Sequence, residues 1–150
     1  MSSGKHDKLK KFIGIVLFII YIIVMCYILF FMDWRSRSAG SILRYNAVPF
    51  HEIRRYIGLI SSMPYIALLN LLGNVLIFVP FGALMTFFNR DRKMVVLNVT
   101  LIGFVFSCAI EITQLFTRVG SCDVDDMILN TIGGFIGSLI YYIHYRRKKR

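Results

Sequence analysis

Charge is scarce in this chain, and acid is scarcer. Asp, Glu, Lys and Arg make up 17% of the 150 residues, and only 8 residues are acidic. With 57% apolar residues and a mean hydropathy of +0.65, a soluble domain of this size would set large apolar patches against water. Cysteine is equally thin. Cys26 and Cys108 lie within apolar blocks, where a thiol behaves as a small hydrophobe, and Cys122 stands alone in a short polar connection. Three scattered thiols make neither a disulfide framework nor a zinc site. The chain also lacks a Gly-rich phosphate loop, a readable Ser/His/Asp arrangement, a CxxC pair, an internal repeat and any low-complexity tract. His51, beside Glu52, and His144, beside the basic tail, are isolated imidazoles of the kind solvent usually covers. At 150 residues there is room for one domain.

What remains is apolar sequence in long blocks. The first, from Phe12 to Met32, carries no charge and is long enough to cross a hydrocarbon core of about 30 Å at about 1.5 Å per residue. Lys5, Lys8, Lys10 and Lys11 precede it, as they would precede a signal peptide. The apolar region is too long for that and no small-x-small cleavage site follows closely, so a retained anchor is expected. Further blocks run over about 66–88, 94–116 and 127–145, the last ending in Tyr141, Tyr142 and Tyr145 at headgroup level. The expected fold is all-α, an integral membrane four-helix bundle over 12–145 with a basic N-terminus (1–11) and a basic tail (146–150).

The net charge of +10 lies at the ends and in the connections, with no stripe along a soluble element, which speaks for membrane topology and against nucleic acid. With both termini cytoplasmic, twelve Lys and Arg fall inside (Lys5 to Lys11, Arg90 to Lys93, Arg146 to Arg150). Six fall outside: Arg35, Arg37, Arg44, Arg54, Arg55 and Arg118. The excess of basic residues on the cytoplasmic side favours that direction. The connection from Asp33 to Tyr65 is then external. Ile53, Ile57 and Ile60 recur in it at helical spacing while Glu52, Arg54 and Arg55 face elsewhere. Periodicity leaves two readings open, a short amphipathic surface helix or a plain loop closed by a turn at Pro64.

Several polar residues sit inside the apolar blocks. A carboxylate in a membrane segment costs several kcal/mol unless paired, protonated or hydrated, so Glu111 is the strongest functional pointer. Gln114 and Arg118 follow it on one helical face. Glu111 lies roughly 8 Å below the outer end of the third span. Asn70 and Asn74 fall in the outer half of the second span, and Asp123, Asp125, Asp126 and Asn130 begin the fourth. Three helices thus carry polar groups at a similar depth. A plainer account is also available: Asp123 as N-cap with Asp126 as the reciprocal member of a capping box, and asparagines bonding neighbouring helices. Gly133, Gly134 and Gly137 give the fourth span a small-residue face for close helix packing. Pro80, Phe81 and Gly82 are expected to kink the second span or end it early.

Three stretches together resemble the VanZ family of small bacterial membrane proteins. They are Asn46 to Phe50 (NAVPF), Asn70 to Gly82 (NLLGNVLIFVPFG) and Glu111 to Gly137 (EITQLFTRVGSCDVDDMILNTIGGFIG). The resemblance implies a four-helix membrane domain and a link to the cell envelope and to resistance against the glycopeptide teicoplanin. It implies functional positions at Asn46, Asn74, Glu111, Gln114, Asp123, Asp126 and Asn130. Family members often carry an arginine just before the aspartates; here Gly120 and Ser121 stand nearer and Arg118 further upstream.

The leading expectation is a non-enzymatic envelope protein. An outward-facing polar pocket of Asn46, Asn74, Glu111, Gln114, Asp123, Asp125, Asp126 and Asn130 would bind a lipid-linked or cationic ligand, such as a lipid-linked cell-wall precursor, without a cofactor. One alternative is a membrane enzyme acting on a lipid or polyprenyl phosphate. Glu111, Asp123 and Asp126 would then be catalytic candidates, and Asp123, Asp125 and Asp126 would hold a divalent cation. Another is a transport accessory subunit with Glu111 as the proton- or cation-binding acid.

Overall fold

The structure, a computed structural model, describes residues 3–31, 45–118 and 121–149. Met32, the basic residues Arg35, Arg37 and Arg44, Gly120 and Arg150 lie outside the described residues. In a bilayer every backbone N–H and C=O must find a partner within the protein, and long apolar runs meet that demand as helices. The described chain forms α1 (Ser3–Phe31), α2 (His51–Leu59), α3 (Pro64–Asn89), α4 (Val95–Thr117) and α5 (Val124–Lys149). All but α2 are long and apolar enough to cross a membrane. Two short strands, β1 (Tyr45–Asn46) and β2 (Cys122–Asp123), pair in parallel with Asn46 opposite Asp123. The fold is thus the four-helix membrane bundle expected, with a fifth, short helix between the first two spans.

α5 is the central post, packing most extensively on α3 and next on α4. Small residues set that closeness. A Cβ added at Gly133 or Gly137 would collide with the carbonyl oxygens of Val75 and Val79, so the α3 backbone lies directly on this face of α5. Gly134 meets α3 differently, through its carbonyl, which occupies the space a side chain at Gly82 would need. One turn further on, the buried Thr86 and Ser138 hydroxyls meet at 2.6 Å and continue the seam in hydrogen bonds. Such small-residue faces replace the hydrophobic effect as the reason for helices to associate in lipid.

The apolar core lies between α1, α3 and α4, around Met25, Phe78, Phe81 and Ile110. Phe81 and Phe106 stack with centroids 5.3 Å apart, and Phe18 of α1 tilts against Phe81. The Tyr21 hydroxyl donates to the Ile77 carbonyl and ties α1 to α3. Pro80 does not end α3. It lies exposed inside the helix, which runs on to Asn89; the missing N–H leaves one turn open while the packed neighbours hold the rest.

The bundle has two unlike ends. Gly14 of α1 lies against Phe87 and Phe88, and Tyr145 of α5 reaches Asp91, so both chain ends and the α3–α4 connection share one end. β1, α2, β2, the start of α3, the last turns of α4 and the start of α5 share the other. The described part of the connection before Pro64 contains a helix, α2, though not with the isoleucine stripe inward. Ile57 and Ile60 are exposed, while Glu52, Ile53, Tyr56 and Leu59 are half-buried. Pro64 is the first residue of α3, where a missing N–H costs nothing.

Candidate functional site

Three aspartates within four residues open α5, and a helix advances about 100° per residue, so their carboxylates leave in different directions. Asp123 caps α5: its Oδ1 accepts the Asp125 N–H at 2.8 Å. Asp126 is not the reciprocal member of a capping box, as the spacing suggested. The Asp123 N–H donates instead to Glu111 Oε2 at 2.9 Å, so the cap is completed from α4. Glu111, 2% exposed, is thereby fixed inside its span as an acceptor for the neighbouring helix.

The other two carboxylates are engaged elsewhere. Asp125, 1% exposed, accepts the N–H of Phe50 at 2.5 Å through Oδ1 and those of Glu52 and Ile53 at 2.7 and 3.1 Å through Oδ2. It therefore satisfies the orphan donors at the start of α2, a helix with no side-chain cap of its own. Phe50 sits in the left-handed region at φ 64°, an uncommon state for a bulky residue, and its N–H is one of those held. Asp126 accepts from Asn74 Nδ2 at 2.5 Å and joins α5 to α3. Asn46 closes the arrangement: its Nδ2 donates to Asp123 Oδ1 at 3.1 Å and its Oδ1 accepts the Val48 N–H at 3.1 Å. β1, α2, α3, α4 and α5 are all joined through four acids.

Asn130, a turn deeper, donates to Ser107 Oγ at 2.9 Å, and Gln114, nearer the end of α4 than Glu111, donates to the Leu29 carbonyl at 3.2 Å, binding α5 and α1 to α4. Asn130 is 1% and Gln114 7% exposed, yet among the described residues Asn130 Oδ1 and Gln114 Oε1 have no hydrogen-bond partner. Buried acceptors left open cost about 1–3 kcal/mol each, which makes this face of α4 and α5 receptive to a donor.

Other polar residues conspicuous in the sequence stand apart. Asn70 bonds back to the Ile66 carbonyl of its own helix. Arg118 does not extend the Glu111–Gln114 face: it is the exposed left-handed C-cap of α4, with its N–H on the Gln114 carbonyl. His51 is mostly exposed and pairs with Glu52 at 3.3 Å, and His144 is exposed. Ser107 escaped sequence reading, although it lies one turn before Glu111 on the same face. Ser138, one turn after Gly134, was hidden for the same reason: a hydroxyl among apolar residues carries little signal alone.

Burial, outweighing its hydrogen bonds, pushes the Asp123 carboxyl above the usual carboxylate range. Burial likewise raises the Cys122 thiol, with the Glu111 and Asp123 charges adding to the effect. Among the described residues no group of three or more His, Cys, Asp and Glu side chains is arranged to hold a metal ion. The aspartate oxygens described above face amide donors of β1, α2, α3 and α5 rather than one point. What the arrangement offers chemically is hydrogen-bond acceptance and negative charge within a protein wall.

A family profile described as VanZ/LLP1 matches residues 18–145. Protein VanZ of Enterococcus faecium is 34% identical over 91 residues, covering 53% of this chain and 50% of that protein. The chain thus spans about half the length of that curated relative. No solved structure matches it. Since the matched segment runs from the first span to the closing turns of α5 and takes in every residue of the acid network, the chain belongs to the VanZ/LLP1 family.

Proposed function

We propose that this protein acts in the cell envelope to lower sensitivity to glycopeptide antibiotics of the teicoplanin type. In this reading it binds a lipid-linked or cationic ligand at the acid-rich end of its bundle. Both termini lie in the cytoplasm, as the twelve-to-six distribution of basic residues favours, and the acid-rich end faces outward. Teicoplanin-type antibiotics carry an acyl tail and act at the outer membrane surface, where a site in the outer leaflet meets them or their lipid-linked targets. Membership of the VanZ/LLP1 family supports the link to resistance.

Glu111 carries the reading. A carboxylate kept inside a membrane span is expensive, and its acceptor duty toward Asp123 needs only an oxygen, which an amide also provides. The open acceptors on Gln114 and Asn130 favour a ligand bringing N–H or O–H donors. Glu111→Gln keeps the acceptor and removes the charge. In a strain depending on this protein for resistance, it is expected to weaken protection by about ten-fold or more, the worth of one charged hydrogen bond. Protein level is checked by immunoblot. Susceptibility unchanged at normal protein level, for acyl-tailed glycopeptides, would count decisively against the proposal.

A further inference from the structure

The opposite end of the bundle carries a basic groove. An open groove of about 600 Å³ runs beside the last two turns of α5, lined by Tyr142, Ile143, Arg146, Arg147 and Lys149. Its cations are not equivalent. Lys149 is engaged with Asp91 at 3.4 Å, which also accepts from the Tyr145 hydroxyl at 2.7 Å. Arg146 lies over the Tyr142 ring at 5.7 Å, and neither Arg146 nor Arg147 has a carboxylate partner among the described residues. Two guanidinium forks lining one groove, one of them over an aromatic face, suit a phosphate oxygen set.

The surface leading to the groove is apolar. Ile132, Phe135, Ile140 and Ile143 are all exposed, and at about 100° per residue they share one flank of α5 with Arg146 and Arg147. An exposed apolar strip ending in a pair of unpaired arginines at a membrane surface matches acyl chain below and phosphate above. We infer that this groove is a binding site for an anionic phospholipid, its phosphate on Arg146 and Arg147 and one acyl chain along Ile143, Ile140 and Phe135. The strip makes it a lipid site rather than one for free phosphate, and it is independent of the acid-rich end.

The test uses the full chain purified in a neutral detergent, with thermal unfolding followed as lipid is added. Phosphatidylglycerol is expected to raise the midpoint, while phosphatidylcholine and inorganic phosphate leave it unmoved. Arg146→Gln/Arg147→Gln should need about thirty-fold more phosphatidylglycerol for the same shift, from two surface cations lost. A control pair on the α3–α4 connection, Arg92→Gln/Lys93→Gln, removes equal charge and should respond as the parent does. Arg146→Lys/Arg147→Lys, which preserves charge and so the fold, should bind more weakly for loss of the planar fork. Equal stabilisation by phosphatidylcholine, an equal effect of inorganic phosphate, or equal loss of response in the control pair would each overturn the assignment. So would an Arg→Lys pair indistinguishable from the parent.

Discussion

At the scale of single residues, Asp125 is the position where the fold is most concentrated. One carboxylate serves three backbone N–H groups of another helix, and one of these belongs to a residue held at positive φ. Asp125→Ala leaves those donors to find water beside a membrane surface. The expected loss is about 2 kcal/mol or more, at the upper end of a helix cap because several charge-assisted bonds are involved. Asp125→Asn should fare little better, since an amide turns donors toward part of a donor cluster. Hydrogen exchange measured in detergent should show faster exchange at the Glu52 and Ile53 amides in either variant. Protection unaltered in both would mean α2 stands without Asp125. Glu111 differs in kind, since its acceptor role toward the Asp123 N–H is one an amide oxygen can also fill.

At the scale of elements, the α3–α5 seam decides the geometry of everything at the acid-rich end. Asn74 can reach Asp126 only because α3 lies flush on Gly133 and Gly137. Gly137→Val must push the Val79 carbonyl away, and overpacking of this kind costs about 1–3 kcal/mol or more. The matched control is Gly73→Ala in α3, where an added Cβ meets nothing within 4 Å. That change is expected to be neutral or stabilising by about 0.5–1 kcal/mol, through the better helix propensity of alanine. Thermal unfolding of both variants in the same detergent reads the difference, and an equal midpoint for the two would remove the seam from its central place. Pro80 shows the same dependence. Local chemistry alone would break the helix there, and packing on both sides carries it through.

At the scale of the whole molecule, the two ends differ in where bases and acids concentrate. Basic residues gather with the chain ends and the α3–α4 connection, and the acids gather at the β1–β2 end. The proposed direction is testable at Cys122, which lies beside Asp123. In a Cys26→Ser/Cys108→Ser background, a membrane-impermeant maleimide added to whole cells should label Cys122 from outside. Because burial and two neighbouring charges raise that thiol, labelling should be slow at neutral pH and quicken as pH rises. Labelling only after the cells are opened would place the acid-rich end in the cytoplasm and undo the proposed ligand access.

The solvent, the number of spans and the residues out of place in lipid were all legible along the chain. Each of these follows from run length, hydropathy and local charge, which are properties of neighbours along the chain. The sequence also marked Glu111, Gln114, the three aspartates and the glycine face, because a polar or small residue inside an apolar helix is conspicuous wherever it ends up. The pairings came from the packing of the helices: Glu111 with the Asp123 amide, Asp125 with the start of α2, Asp126 with Asn74 and Ser107 with Asn130. Adjacent acids look alike in a string. Which neighbour each meets depends on how far α3 and α4 slide along α5, and that register is fixed by helix surfaces many residues away.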